Sequence, residues 1–173
     1  RKGGTIRMSF IQLSPEKWNF NVFNAIKNWM VLTAGTPSNC NSMIVSWGAL
    51  GIMWNKPTAS VYVRESRYTL PFMQEEDYFT LSILPMTYET DMKYLGSHSG
   101  RNENKYAKTN LHPISVGPAI GIEEANYIMV IKKQLVTKLD FCNYYDKEIY
   151  EQWYSHKDKN NDHYMFMGEI INI

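Results

Sequence analysis

Cysteine is scarce in this chain of 173 residues: there are two, Cys40 and Cys142, far apart and in no CxxC pair. One disulfide between them is conceivable, but free thiols in a cytoplasmic protein fit this usage better. An excess of charge is also missing. The formal net charge of +1 argues against a bulk nucleic-acid or membrane-surface binder. So is a long apolar run. The longest uncharged one, Ser42 to Trp54, falls short of the roughly 20 residues that a membrane-spanning helix needs. The first residues, "RKGGTIRMSF", lack both an apolar signal core and an initiating Met. Residues 1–17 read as an N-terminal extension or expression-derived segment, which leaves a removed signal peptide possible. Residues 18–173 read as one domain.

Familiar chemical motifs are absent too. His98, His112, His156 and His163 show no HxxxH or HExxH spacing, so no zinc site is expected. Asp158, Asn160, Asp162, Tyr164 and Glu169 fall on positions of a calcium loop, but His163 stands where that loop needs Gly, and a strand pattern follows. That match is read as chance, and no metal is expected. Ser46 is in no GxSxG elbow, neither cysteine has an activating neighbour, and there is no GxGxxG or GxxxxGK[ST] loop. No catalytic side chain stands out. An enzyme built this way would leave the hard chemistry to a bound cofactor.

What is present is aromatic and β-branched residues in quantity, which favours sheet. Strands are expected at 30–35, 42–47, 57–64, 78–85, 125–141 (one long strand or a hairpin) and 163–173. Gly48 and Gly51 are expected to break the ladder after Trp47. Trp18, Val22, Ile26 and Trp29 are spaced for an entry helix. "YTLPFMQEED" reads as a helix capped by Thr69, "YETDMKYLG" as one capped by Thr90 and ending at Gly96, and "NENKYAKTN" as a short helix ending near Asn110. "DKEIYEQWYSHKDK" reads as an amphipathic helix with Ile149, Trp153 and His156 on one side. Strands broken by short helices describe a mainly β, α+β domain: a β-barrel with short decorating helices.

Two turns could hold an anion. "VRESRYT" brings Arg64, Arg67, Tyr68 and Thr69 to a strand end and helix start. "GSHSGRNENK" offers Ser97, His98, Ser99, Gly100, Arg101 and Lys105 around a small glycine-containing bend. Taken alone, each reads better as a solvated polar turn. Two such turns in one small domain make a phosphate ligand more credible than either does singly.

The succession "WMVLTAG", "NSMIVSWGALGIMWNKP", "VYVRESRYT", "HSGRNENKYAKT" and "HYMFMGEI" resembles the flavin reductase-like, FMN-binding split-barrel family, in its flavoredoxin branch. The resemblance runs from about Trp18 to the C-terminus. It implies a split β-barrel that dimerises and holds FMN near the subunit interface. Carried over by position, the flavin ring would lie along Met43, Ile44, Val45, Ser46 and Trp47, read by main-chain groups. The phosphate would be held by Arg64, Arg67, Tyr68 and Thr69 on one side and by Ser97, Ser99, Gly100 and Lys105 on the other. Asn55 and Lys56 would shape the pocket edge, and Glu65 should point away. Exposed Trp18, Trp54 or Trp153 would suit a dimer interface. The implied activity is hydride transfer from NAD(P)H to flavin and on to a flavin or redox-protein acceptor, with His163 a candidate to face the pocket. The alternative is a non-catalytic FMN electron carrier.

Overall fold

Seven strands form one antiparallel sheet, and the order in which they pair dictates its shape. The structure is a computed structural model that describes residues 10–155 and 161–173. In chain order the sheet strands are β1 (Met30–Thr36), β2 (Asn39–Val45), β3 (Gly48–Met53), β4 (Lys56–Arg64), β5 (Tyr78–Ile83), β8 (Tyr127–Lys138) and β9 (His163–Asn172). β6 (Pro113–Val116) and β7 (Ala119–Ile122) form a separate hairpin. The spatial order is β2-β1-β5-β8-β9-β4-β3, so β2 and β3 lie on opposite edges although only Ser46 and Trp47 separate them in the chain. Six inter-strand spacings would put those edges about 29 Å apart in a flat sheet, whereas the link reaches about 11 Å. The sheet must therefore curl until its edges meet at Ser46–Trp47. β2 and β3 do not pair with each other, and the barrel is split along that seam.

Alternation along the strands fills the barrel. Leu32, Val61, Phe79, Leu81, Met129, Ile131 and Phe166 are buried inside it, each contributing about 1.5–3 kcal/mol of apolar burial. The outer face of β1 and β5 is covered as well. Val31 packs with Met92, Leu95, Leu111, Ile122 and Ile128 beneath the β6–β7 hairpin and α3 (Glu89–Ser97).

Several expectations need correction. The entry helix is limited to α1 (Val22–Lys27), capped by the Asn21 side chain, with a short 3-10 turn at Pro15–Lys17 before it. Trp29 lies beyond α1 in the left-handed region at φ 67°. Trp18 stacks on Phe20 and packs against the core. Residues 48–53 are a true strand, because β4 supplies a complete antiparallel partner. The turn that follows uses Trp54 and Asn55 at φ 52° and 56°, the two-residue geometry that suits hairpin twist. Neither threonine caps its helix: α2 (Thr69–Glu75) starts with Thr69 already inside it, and α3 is preceded by Tyr88. β8 is one long strand, with irregular register against β9 near Val130 and Lys133. α4 (Lys147–Tyr154) is where expected, while His156, Asp158 and Asn160 lie outside the described residues.

Candidate functional site

The free edge of β2 is the floor of the site. In the β1–β2 hairpin, the two-residue turn pairs Thr36 with Asn39. Alternation from that pair leaves Ser42 opposite Thr33 without ladder bonds to it. The Thr33 and Ser42 hydroxyls accordingly meet at 2.7 Å, and the Ser42 carbonyl turns outward. It accepts a hydrogen bond from Lys105 Nζ at 2.6 Å. The same two-residue period turns the N–H and C=O of Ile44 outward, towards the cleft.

That cleft, of about 410 Å³, is lined by Met43 and Ile44 from β2, by the turn Ser66–Thr69, and by Gly96–Arg101 with Lys105. The two basic turns are thus brought face to face. Arg101 ties them together: its Nη1 donates to the Ser66 carbonyl at 2.7 Å, and its guanidinium sits over the Tyr68 ring. Among the described residues the Arg67 side chain has no hydrogen-bond or carboxylate partner. Lys105 is buried, and its ammonium gives two of its three protons to the carbonyls of Ser42 and Leu95. Burial, followed by the charge of Arg67, pushes its pKa down to about 8, against a smaller opposing pull from Glu103.

The hydroxyls divide by polarity. Thr69 Oγ1 accepts from Asn41 Nδ2 at 2.8 Å, and Ser99 Oγ accepts from the Arg101 N–H at 3.3 Å, so each keeps its own proton to donate. Ser97 instead donates its proton to the Lys93 carbonyl at 2.8 Å. Gly100 closes against β2. A Cβ there would lie 2.3 Å from Asn41 Oδ1 and 2.8 Å from Tyr68 Cδ1, so only glycine leaves its backbone at this wall. Two arginines, a buried ammonium, two free hydroxyl donors and a bare glycine backbone suit a phosphate monoester.

A smaller cleft of about 200 Å³ continues along β2. Met43–Trp47, Tyr62, Arg64, Arg67 and His163 line it, and Met43, Ile44 and Arg67 belong to both hollows. Arg64 is therefore on the Trp47 side, where it reaches the carbonyls of Asn161 and Trp153 and lies over the Tyr154 ring. It does not join Arg67 in the larger cleft, because β4 ends at Arg64 and the chain turns before Arg67. His163 is buried, 2.8 Å from Tyr154 OH through Nδ1, with Trp47 beside it. Glu65 turns to Lys138.

Asn55 and Lys56 are not brought to either cleft. They belong to the β3–β4 hairpin, and Lys56 pairs with Glu169 of β9. His98 and Arg101, offered by the second turn, line the larger cleft too, and the structure adds Trp29, Asn41, Ser66, Leu95 and Gly96 to it and Tyr62 to the smaller. Asn41, two residues before Met43 on the same strand, was open to prediction by alternation. Trp29 comes from elsewhere in the chain and left no local signal.

The chain matches the flavin reductase like domain over residues 26–173. It belongs to the flavin reductase-like family. Among solved structures, family-type folds recur at low identity. A flavoredoxin from Methanosarcina acetivorans is 21% identical with a TM-score of 0.62, over 83% of this chain and 65% of its own. An FMN-binding protein from Thermus thermophilus, with 1-cyclohex-2-enone bound, is 19% identical with a TM-score of 0.61, over 83% of this chain and 67% of its own. Nitrilotriacetate monooxygenase component B from Bacillus cereus is 16% identical with a TM-score of 0.63, over 95% and 80%. The chain thus spans about two thirds of the length of the first two. No curated protein matches it significantly. The expected fold, a mainly β split barrel with short helices, is the fold observed. Among the described residues no helix is long and apolar enough to cross a membrane.

Proposed function

We propose that this family member binds FMN along β2 and is a flavin-dependent oxidoreductase using NAD(P)H as donor and a flavin or redox protein as acceptor. The observation that carries this reading is the cluster of Arg67, Arg101 and Lys105 facing Ser99, Gly100 and Thr69 in one cleft, beside the outward-turned edge of β2. When bound, FMN supplies the redox chemistry, accepting two electrons as hydride from a nicotinamide and passing them on.

The residues of the chain bind and orient. Arg67 and Lys105 neutralise the phosphate, while Ser99 and Thr69 donate hydroxyl protons to it and Tyr68 walls it in. Arg101 holds the two turns together across it. Ile44 and Ser46 offer main-chain groups to the polar edge of the ring, with Met43, Val45 and Trp47 around them. Arg64 and His163 lie in the smaller cleft, on the side from which a donor would approach. Assembly as a homodimer, with Trp54 and Trp153 exposed for a contact, completes the reading, as does a cytoplasmic location.

The test is the visible spectrum of the purified protein during titration with FMN, then with NADH and NADPH. A shifted, saturable flavin spectrum that bleaches on adding nicotinamide supports the oxidoreductase. Saturable binding without bleaching, followed by reduction through a redox protein, turns the reading to an electron carrier. No change on adding FMN overturns both.

A further inference from the structure

With no hydrogen-bond or carboxylate partner for its side chain among the described residues, Arg67 is placed by its backbone alone. The peptides 64–65, 65–66 and 66–67 lead from the end of β4 to Arg67, and each gives its N–H to a fixed acceptor. Glu65 N–H donates to the Asp162 carbonyl at 3.0 Å, and Arg67 N–H donates to the Arg64 carbonyl at 3.0 Å. Between them, Ser66 N–H donates to Oδ1 of the Asn161 side chain at 2.9 Å. The Ser66 carbonyl in turn accepts from Arg101 at 2.7 Å. Both main-chain polar groups of Ser66 are thus held by side chains from distant parts of the chain.

Register explains why Asn161 is there. β4 and β9 pair Arg64 with His163. Continued one residue, that register sets Asp162 opposite Glu65, and continued two, it sets Asn161 opposite Ser66. At Ser66 the chain has left β4 and is turning towards α2, and the Asn161 side-chain carbonyl supplies the acceptor in place of a main-chain one. The neighbouring residue is anchored as well. Asp162 is buried, accepts from Tyr150 OH at 2.9 Å and shares Lys138 with Glu65, at 3.4 and 2.9 Å. Asn161 itself lines neither cleft.

We propose that Asn161 is a positioning residue for the flavin phosphate: it touches no ligand and acts through the Ser66 N–H, fixing the turn from which Arg67 meets the phosphate. The inference rests on the FMN reading above, since it takes Arg67 as a phosphate contact. Without the Asn161 amide the 65–66 peptide is free to rotate. Only the fraction of chains with the turn in place then binds FMN at full strength, and the apparent Kd rises by that factor.

The experiment is fluorescence titration of the flavin-free chain with FMN and with riboflavin, which lacks the phosphate. It compares the wild type, Asn161→Ala, Arg67→Ala and the double variant. Asn161→Ser, whose hydroxyl falls short of the Ser66 N–H, serves as a second variant, and circular dichroism checks the fold of each. In the Asn161 variants the FMN Kd rises roughly three- to tenfold, the range of one ordinary hydrogen bond, while the riboflavin Kd stays within about twofold. In the double variant FMN binds within about twofold of Arg67→Ala alone, because Asn161 acts only through Arg67. Folded Asn161 variants that bind FMN as the wild type does, that lose both flavins alike, or whose loss adds in full to that of Arg67→Ala overturn the proposal and leave the FMN reading standing. So does loss of the wild-type dichroism in both Asn161 variants, which would make the residue a part of the fold alone. Binding of neither flavin to the wild type overturns the FMN reading and this proposal with it.

Discussion

Lys105 Nζ stands 2.6 Å from the carbonyl oxygen of Ser42, joining the basic side of the larger cleft to β2. If Lys105 holds the flavin phosphate as proposed, it should couple flavin binding and folding to pH in opposite directions. Lys105 has a folded pKa of about 8 against an ordinary 10.5. Between those values the unfolded chain carries the extra proton, so flavin-free stability rises as pH climbs from about 8 towards 10.5. Phosphate affinity runs the other way, because the ammonium is lost as pH passes 8. FMN titrations from pH 7 to 9.5 should show weakening in the wild type and a flatter profile in Lys105→Met. Thermal melts of the flavin-free wild type over the same range should gain stability. An FMN affinity that did not move across pH 8 would remove Lys105 from the phosphate site.

Arg67 and Arg101 should separate by ligand. The Arg67 side chain has no hydrogen-bond or carboxylate partner among the described residues. Its replacement by Ala therefore removes a charge-assisted bond worth about 1.5–3 kcal/mol, or roughly 10–100-fold in FMN Kd. Riboflavin, which lacks the phosphate, should bind Arg67→Ala as it binds the wild type. Arg101 also ties Ser66 and Tyr68 across the cleft, so Arg101→Ala should weaken riboflavin as well as FMN. Parallel fluorescence titrations with the two flavins decide this. Equal losses for both ligands in Arg67→Ala would contradict the assignment.

How much of this was legible in the sequence follows from what is local. The alternation in "PTASVYVR" revealed β4, and the short run "YFTLSILP", ended by Pro85, revealed β5 although both faces of that strand are buried. The same logic failed at β3, where Gly48 and Gly51 read as breaks although a paired strand absorbs both. The β6–β7 hairpin also went unseen, because Pro113, Gly117 and Gly121 obscure the pattern in its short strands. That two basic turns could share one cleft was legible because their cations and hydroxyls cluster in short stretches. Trp29 joins it only through tertiary packing, whereas Asn41 follows from Met43 by alternation along β2. Arg64 and Arg67 are three residues apart and yet sit on different sides of the site, a separation set by where β4 ends.

Gly100→Ala tests the wall of the larger cleft, where the phosphate is proposed to sit. The added Cβ meets Asn41 Oδ1 and Tyr68 Cδ1 well inside contact distance. Relieving it moves either the Asn41 amide, which holds Thr69, or the Tyr68 ring beneath Arg101. Overpacking of this kind costs about 1–3 kcal/mol of stability. Because both neighbours line the cleft, FMN affinity should fall by at least tenfold while the far-ultraviolet dichroism stays that of the wild type. Unaltered FMN affinity in a folded Gly100→Ala protein would place the phosphate elsewhere.

Gly48 and Gly51 follow the seam, where the sequence suggests breaks in the ladder after Trp47. The structure gives them different duties. A Cβ on Gly48 would lie 2.7 Å from the Ser60 carbonyl oxygen in β4, whereas a Cβ on Gly51 meets nothing within 4 Å. Gly48 is therefore required for the close approach of β3 to β4 at the point where the barrel closes. Gly48→Ala must push apart a backbone pair that has no flexible side chain to yield, at a cost of about 1–3 kcal/mol. Gly51→Ala sits in open space on an exposed strand and should be neutral or slightly stabilising, since Gly in a strand interior is the weaker choice. Urea denaturation of the two flavin-free variants should show a lowered midpoint for the first alone. FMN affinity should fall in Gly48→Ala together with stability, because β3 anchors the far side of Ser46–Trp47. A Gly48→Ala protein as stable as Gly51→Ala would mean that the β3–β4 approach is looser than its register implies.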